Sequence, residues 1–320
     1  MGILAIQYRT AKDSPILVVA NREEQLSRPS QGPRIQSGRP RVVCGIDKKA
    51  GGTWGGVNQH GLFVTVLNCS KRIQPYDPRS RGLLCRELLA CRTAEEALDK
   101  AVRELATGCY EGANFLCVDR TSGGVVYGGD EIEVERLTPG LHVLTSNRMD
   151  DYNDTRQEFV RRLLTLQRLD SSISFMAVAS RAFSRCPDDG GRRGIIISEP
   201  DYGTVSSILL SLTDRTHRSV MQYADGRPDN APFEDVSALL RQVLSTERSL
   251  ASQQQRQALA AQAAAAAAAG EIVTPNDAAV EPKVETAAKV ENEKAESTEE
   301  AGADPPATAM KPQSRSRKKT

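Results

Sequence analysis

The sequence predicts an α+β fold in which two antiparallel sheets pack together and carry helices on their outer faces. Short apolar runs separated by turn residues dominate the first 70 residues or so, as expected for strands. Two of these runs flank Asn58-Gln59-His60-Gly61, which is typical of a hairpin turn and therefore of antiparallel pairing. Helical periodicity follows, and the order of strands and then a helix pair is repeated.

The predicted elements fall in this order along the chain. Strands are predicted at 3–8, 16–20, 42–46, 53–57 and 62–67, then at 114–118, 125–127, 132–135 and 142–144, and finally at 195–198, 205–212 and 220–223. One helix begins after Ser80-Arg81-Gly82, and a second, over 97–105, is capped by Thr93 with Glu96 three residues on. Two further helices are predicted at 154–169 and 173–183, and a closing helix at 234–244.

Composition divides the chain into one domain, residues 1–247, and a low-complexity tail, residues 248–320. Within the tail, 253–269 is rich in Gln and Ala, 271–304 is acidic, and 311–320 is basic. Such segments bury too little apolar area to offset chain entropy, so we expect disorder, with the Ala-rich stretch able to form a helix. The net charge is +1, so we expect nucleic acid as a partner only weakly, through the basic C-terminal tip.

The seven cysteines form no Cys-x-x-Cys pair and the three histidines lie far apart, so we expect no metal site and no cofactor. Reduced cysteines are typical of a cytoplasmic protein. The N-terminal segment has no basic region and only a short apolar run, so neither a signal peptide nor a membrane span is expected. These features predict cytoplasmic localisation without a membrane partner.

Common catalytic motifs are missing from the sequence. Gly-x-Ser-x-Gly does not occur, which argues against an α/β-hydrolase nucleophile elbow. The run Gly51-Gly52-Thr53-Trp54-Gly55-Gly56 lacks the Lys-Ser/Thr of a phosphate loop and leads into a strand. These glycines predict a tight turn at which another backbone passes close by.

The most informative string is Ala20-Asn21-Arg22-Glu23-Glu24, at the end of a buried strand, followed by Arg28-Pro29. Here the sequence resembles the NRDE family, also called the Transport and Golgi organisation 2 family, with Glu23 in place of the family's Asp. The likeness continues through Gly51-Gly52-Thr53-Trp54, Asn68, Ser80-Arg81-Gly82, Asn114, Pro139-Gly140-x-His142 and Gly203-Thr204-x-Ser206-Ser207.

The resemblance implies a four-layer αββα sandwich similar to N-terminal-nucleophile amidohydrolases. In such enzymes a Cys at position 2 attacks an amide carbonyl and its own α-amine acts as the base. This chain has Gly2 at the nucleophile position, without a side chain. In the family string around His142, Ser146 stands where Asn is expected, and Asn147 comes one place late. On a strand, such a shift can turn the amide away from a cleft.

The cleft is predicted to contain Asn21, Arg22, Glu23, Trp54, Asn68, His142 and Asn147. Several alternatives are open. Arg22 and Glu23 either form a structural ion pair or line a ligand cleft, and His142 is either a base or a hydrogen-bonded core residue. Cys69 is either a relocated nucleophile or an inert buried thiol.

The first functional hypothesis is a protein without the N-terminal nucleophile whose cleft binds a small anionic metabolite through Arg22. From the resemblance, an acyl or haem-type ligand is also conceivable. The alternatives are an active amide hydrolase that uses another nucleophile or a different start, and a scaffold that acts through its C-terminal tail.

Overall fold

The architecture was derived from a computed structural model that describes residues 2–188 and 194–268. One sheet, sheet A, has the strand order β10-β1-β2-β11-β12-β13 and is antiparallel throughout. Its strands are β1 (Ile3–Tyr8), β2 (Ile16–Gln25), β10 (Gly140–Leu144), β11 (Tyr202–Leu212), β12 (Val220–Ala224) and β13 (Glu234–Asp235).

The second sheet, sheet B, is also antiparallel and follows the chain order from β3 to β9 without a crossover. Its strands are β3 (Ser30–Gln36), β4 (Val42–Asp47), β5 (Gly55–Asn58), β6 (Phe63–Asn68), β7 (Ala113–Val118), β8 (Gly123–Gly128) and β9 (Ile132–Arg136). The helices are α1 (Arg81–Leu88), α2 (Ala94–Leu105), α3 (Thr155–Thr165), α4 (Ser172–Phe183) and α5 (Ser237–Ala268), with a short 3₁₀ turn at Thr216–Arg218.

Three apolar clusters define four layers. The central cluster lies between the two sheets, where Leu4 and Val18 of sheet A pack with Phe63 and Leu116 of sheet B. An outer cluster joins sheet B to α1 and α2, and a second outer cluster joins sheet A to α3 and α4. The molecule is therefore an αββα sandwich, and the predicted fold class is confirmed.

Side-chain alternation along β2 assigns its residues to two faces. Leu17 and Val19 pack against the α3/α4 layer, whereas Val18 and Ala20 face the other sheet. All four residues are fully buried, so this strand reads as a continuous apolar run.

Polar caps fix the starts of the helices, because each supplies an acceptor for a backbone N–H that has no intrahelical partner. Thr93 Oγ1 accepts from Glu96 N at 3.2 Å, which confirms the predicted cap of α2. Ser80 caps α1, Asp154 caps α3, and Ser171 forms a capping box with Ser174 at the start of α4.

The structure departs from the predicted elements at four places. The edge strand β3 was not predicted, because Gly32 and Pro33 interrupt its apolar pattern. The strand predicted at 195–198 is reduced to a single bridge between Ser198 and Gly203. The predicted start of the closing helix at 234 is instead the two-residue strand β13, and α5 continues as one helix to Ala268.

Several predictions concern residues that the structure does not describe. They are the end of the loop at 189–193, the last residue of the Ala-rich segment, the acidic segment at 271–304 and the basic tip at 311–320. The domain boundary at residue 247 likewise stays a prediction. Among the described residues, no helix combines the length and the apolar character needed to cross a membrane.

Candidate functional site

The glycine-rich turn before β5 lets two backbones meet. Gly51 adopts a φ of 73°, which favours glycine, and a Cβ atom at Gly52 would lie 2.3 Å from the carbonyl carbon of Gly82. Thr53 N donates to the Gly82 carbonyl at 3.0 Å. The predicted close approach is confirmed, and it joins the turn to the start of α1.

This turn positions Trp54 beneath Arg22. The Trp54 ring covers Gly45, where a Cβ atom would lie only 2.1 Å from a ring carbon. The Arg22 guanidinium carbon lies 4.2 Å from the centroid of the same ring, a cation–π contact. Trp54 therefore packs against the central core and also forms part of a pocket wall.

Arg22 is a buried cation with few partners. Its side chain is 5% exposed, and burial lowers the pKa of its guanidinium. Nη1 donates to Ser30 Oγ at 3.2 Å, and Nη2 lies 3.6 Å from Glu24 Oε2. These are the polar contacts described for a group that carries five N–H donors.

Arg22 opens onto a polar cavity of about 230 Å³. We call it the arginine pocket, and it is lined by the arginines Arg22, Arg28, Arg79 and Arg81, by Glu24, Asp47 and Glu111, and by Trp54, Asn68 and Ser80. Four basic side chains face three acidic ones, so the positive charges are in excess by one. The pocket lies beside the ends of β2 and β6 and the start of α1.

Ion pairs hold the wall of the arginine pocket in place. Arg28 Nη2 donates to Asp47 Oδ2 at 2.7 Å, and Arg81 Nη2 lies 2.9 Å from Glu111 Oε2. Although burial opposes ionisation of Asp47, its hydrogen bond from Arg28 holds the pKa of that carboxyl below its usual value. Arg28 and Arg81 are thus largely committed, and Arg79 pairs with Glu104 at 2.8 Å. The carboxylate that pairs with Arg22 is farther away, at 3.6 Å, so Arg22 is the cation of the four with donors to spare.

Glu23 lies on the opposite face of β2, where it pairs with Arg156 of α3. Its side chain is 4% exposed, and Arg156 Nη1 donates to Oε2 at 3.4 Å while Nη2 contacts Oε1. A Cβ atom at Gly2 would lie 1.8 Å from both the carboxyl carbon and Oε2 of Glu23. The carboxylate therefore occupies the space that a side chain at position 2 would need.

Asn21 is fully buried on the same face of the sheet. Its Nδ2 donates to the carbonyl of Phe183 at the end of α4, at 3.0 Å. No partner for its Oδ1 is found in the described part of the chain. Asn21 thus ties β2 to α4, close to Gly2, whose N–H donates to the Asn21 carbonyl at 3.2 Å.

His142 of β10 makes two hydrogen bonds, one to the segment that precedes the strand and one to the loop that follows it. Nε2 donates to the Thr138 carbonyl at 2.8 Å, and Nδ1 lies 2.7 Å from Asp150 Oδ2. Burial opposes the charged form, but the bonds to Asp150 and Thr138 raise the pKa of the imidazole above its ordinary value. Because both ring nitrogens face acceptors, this geometry favours the imidazolium rather than a free base.

Asn147 is exposed and lies at a separate, open cavity of about 440 Å³, together with Asn114 and Cys69. Its Nδ2 donates to Asp154 Oδ2, the cap of α3, at 3.0 Å. Asn114 Nδ2 donates to the Asn147 carbonyl at 3.0 Å, with longer contacts to the carbonyls of Thr145 and Ser146. Both amides hold the loop that follows β10.

The predicted cleft residues thus lie in three places. Arg22, Trp54 and Asn68 line the arginine pocket together. Gly2, Asn21 and Glu23 lie together around the start of β1. His142 and Asn147 are held by Asp150 and Asp154 and line no part of the arginine pocket.

The prediction omitted three arginines that shape these places. Arg28 and Arg81 stand in the strings Arg28-Pro29 and Ser80-Arg81-Gly82, so a signal for both was present. No local signal marks Arg156, which lies 133 residues from its partner Glu23.

The Cys69 thiol is the candidate for a relocated nucleophile. Burial raises the pKa of its thiol to about 11, so the thiolate is scarce at neutral pH. All seven cysteines are free thiols. Within the described residues, no cluster of three His, Cys, Asp or Glu side chains has the arrangement of metal ligands.

A family model described as Transport and Golgi organisation 2 matches residues 1–223. The chain belongs to this family. The Transport and Golgi organization 2 homolog of Mus musculus is 31% identical over 141 residues, which is 41% of this chain and 50% of that protein. The Bos taurus homolog is 26% identical over 225 residues, covering 61% of this chain and 81% of that protein. The match therefore spans about half the length of the mouse relative.

The solved structures to which the chain is similar include an amidase and a hydrolase. A Caenorhabditis elegans N-acylethanolamine-hydrolyzing acid amidase ortholog is 14% identical, with a TM-score of 0.45 over 67% of this chain and 95% of that chain. A mutant conjugated bile acid hydrolase from Clostridium perfringens is 13% identical, with a TM-score of 0.47 over 74% of this chain and 93% of that chain. The αββα assignment itself rests on the packed layers described above.

Proposed function

We propose that this member of the Transport and Golgi organisation 2 family binds a small anionic metabolite in the arginine pocket and does not hydrolyse amides with an N-terminal nucleophile. The observation that carries the proposal is the state of Arg22. It is a buried guanidinium, stacked on Trp54 at 4.2 Å, that lines a cavity and has donors left over.

Burying such a cation is costly unless it gains partners, because the charge loses its hydration. Arg22 has one loose carboxylate contact, at 3.6 Å from Glu24. A carboxylate or phosphate entering the cavity would supply bidentate hydrogen bonds to the guanidinium. The stacked Trp54 ring holds the plane of the guanidinium fixed, which reduces the entropy lost on binding.

The size of the arginine pocket favours a small ligand. Its volume, about 230 Å³, lies below the roughly 300–1,000 Å³ of sites for drug-sized molecules. An acyl or haem-type ligand would have to extend beyond the pocket, with only its anionic group inside. The pocket itself is matched best by a compact carboxylate or phosphate compound.

Three features support binding without hydrolysis. The Glu23 carboxylate fills the space beside Gly2, and His142 donates both ring protons to acceptors. The Cys69 thiol has a raised pKa, about 11, and lines a different cavity. None of these groups is arranged as an activated nucleophile with a free base.

The test is isothermal titration of the full chain with inorganic phosphate and with a series of small mono- and dicarboxylates. We expect Arg22→Gln to weaken binding by about ten- to a hundredfold, since a hydrogen-bonded charged group contributes roughly 1.5–3 kcal/mol. Arg136→Gln is the matched control, because Arg136 lies on the edge strand β9 and pairs with Glu95 outside the pocket.

Equal affinities for the wild type and Arg22→Gln would overturn the proposed site. A parallel screen of acyl-amide substrates, run with and without an alkylating agent after intact-mass analysis of the N-terminus, addresses catalysis. Turnover that the alkylating agent abolishes would contradict the non-hydrolytic part of the proposal.

A further inference from the structure

Residues 2 and 23 compete for one volume. A Cβ atom at position 2 would lie 1.8 Å from Glu23 Cδ, 1.8 Å from Oε2 and 2.5 Å from Cγ. Carbon atoms in contact ordinarily stay roughly 3.5–4.0 Å apart. We infer that the Glu23 side chain is the internal occupant of the position-2 side-chain space, so that any side chain at residue 2 requires a shorter residue 23.

A steric overlap with the end of a flexible side chain costs little free energy if that side chain can adopt another rotamer. Glu23 is poorly placed to do so, because its side chain is 4% exposed and its carboxylate is bound by both Nη atoms of Arg156. β2 lies between β1 and β11, where Glu23 is paired with Thr204. Because the pairing of β1 with β2 ends at Asn21, the carboxylate is flanked by β11 on one side, by α3 above and by Gly2 beside it.

Arg156 is itself fixed. Its Nη2 donates to the Ile195 carbonyl at 2.7 Å, and its backbone N–H donates to Asp154 Oδ1, the cap of α3, at 2.9 Å. Moving the Glu23 carboxylate would leave this guanidinium, 28% exposed, without its carboxylate. A side chain at residue 2 thus forces either a steric overlap or a broken ion pair.

This coupling deepens the proposed function and rests on it. The site lacks a nucleophile both because residue 2 is Gly and because Glu23 occupies the space that a nucleophilic side chain would need. Replacing Gly2 by Cys alone would place sulfur against a held carboxylate. Gly2 and Glu23 thus compensate for each other in volume: the long acid fills the space that the missing side chain leaves empty.

A double-mutant cycle tests the coupling. The four proteins are the wild-type full chain, Gly2→Ala, Glu23→Ala and the double variant, with intact mass used to verify that all four share one N-terminus. In the wild-type background we expect Gly2→Ala to lower Tm by about 5 °C, the order expected for overpacking in a domain of this size. In the Glu23→Ala background, where all three overlapping atoms are gone, the same substitution should change Tm by less than about 1 °C.

A second background separates volume from charge. Glu23→Gln keeps the shape of the side chain and removes its charge, so Gly2→Ala should remain as damaging there as in the wild type. Glu23→Asp, one methylene shorter, should reduce the Tm loss partly, and it serves if Glu23→Ala fails to fold.

The same Tm loss for Gly2→Ala in the wild-type, Glu23→Asp and Glu23→Ala backgrounds would overturn the inference. A loss that disappears in the Glu23→Gln background would also overturn it, because the coupling would then be electrostatic. Phosphate titration of the same variants keeps the two proposals apart. If phosphate still binds and the Tm changes of the cycle are additive, only the coupling of residues 2 and 23 is contradicted. If the Tm changes are coupled and phosphate does not bind, only the proposed arginine pocket is contradicted.

Discussion

Arg22 and Glu23 are consecutive residues whose charges act on opposite faces of one sheet. Arg22 stacks on Trp54, in the turn that precedes β5 of the facing sheet, and Glu23 reaches Arg156 of α3. The two side chains do not form the ion pair that was one interpretation of the sequence, because neighbouring residues of a strand point to opposite sides. The string around Arg22 could be recognised from the sequence, but its partners lie far away along the chain and could not.

His142 yields a pH prediction at the same scale. Its folded-state pKa is raised above the ordinary value of about 6.5, despite burial, by the bonds to Asp150 and Thr138. A raised folded pKa gives stability that is fully present below the unfolded pKa and is lost as pH rises through the folded pKa. We therefore expect the stability difference between the wild type and His142→Gln to shrink as pH rises from the unfolded pKa, about 6.5, through the raised pKa of the folded state.

Urea unfolding at fixed pH values measures this difference. Asp150 is shared with Arg161, whose Nη2 donates to Oδ1 at 2.6 Å, so the carboxylate keeps one cation when the imidazole is neutral. His217→Gln, at an exposed position, is the control for loss of an imidazole. A stability difference that stays constant across this pH range would contradict the assignment of an imidazolium.

At the scale of elements, the two sheets are joined by side chains as well as by the apolar core. Asn114 of β7 in sheet B donates to backbone carbonyls of the loop that follows β10 in sheet A, and its side chain is buried. The sequence marked Asn114 as part of the family resemblance and offered strand-end hydrogen bonding as its plain role. The structure places the bonds across the sheets.

Asn114→Ala should therefore cost about 1–3 kcal/mol of unfolding free energy, because the carbonyls of the loop after β10 lose the donor that this buried amide supplies. Urea denaturation measures this cost, provided that the wild type and the variant show the same dependence of unfolding free energy on urea concentration. Asn68→Ala is the control, since Asn68 ends β6 and is exposed, and a change within about 0.5 kcal/mol is expected there. Equal losses for the two variants would show that the bonds across the sheets do not stabilise the fold.

At the scale of the whole molecule, the order of strands and helix pairs was predictable because the central strands and the helices bury long apolar stripes. Elements that bury few apolar side chains show little hydrophobic periodicity in the sequence. The edge strand β3 and the two-residue strand β13 are not predicted for this reason. The site follows the same logic. Trp54 and Asn68 could be selected from motifs, whereas the pairing of Glu23 with Arg156 depends on how distant layers pack.

α5 offers a test of where the folded domain ends. Its first turns contribute Leu240, Val243 and Leu244 to the central core, whereas residues 256–262 are exposed. We expect a chain ending at residue 246 to keep a Tm within about 2 °C of the full chain. A chain ending at residue 236 should lose at least about 10 °C, because several buried side chains are removed. Thermal unfolding followed by circular dichroism compares the three, and a large loss on removing 247–320 would place part of the fold beyond residue 246.

Trp54 is the single tryptophan of this sequence, and it forms one wall of the arginine pocket. Intrinsic fluorescence excited at the indole band therefore comes from one position, directly beneath the guanidinium that is expected to meet a ligand. An anion that shifts Arg22 would alter the emission intensity and the access of a soluble quencher such as acrylamide. The chain thus carries its own label-free optical probe, with which compound libraries can be screened for ligands of the arginine pocket.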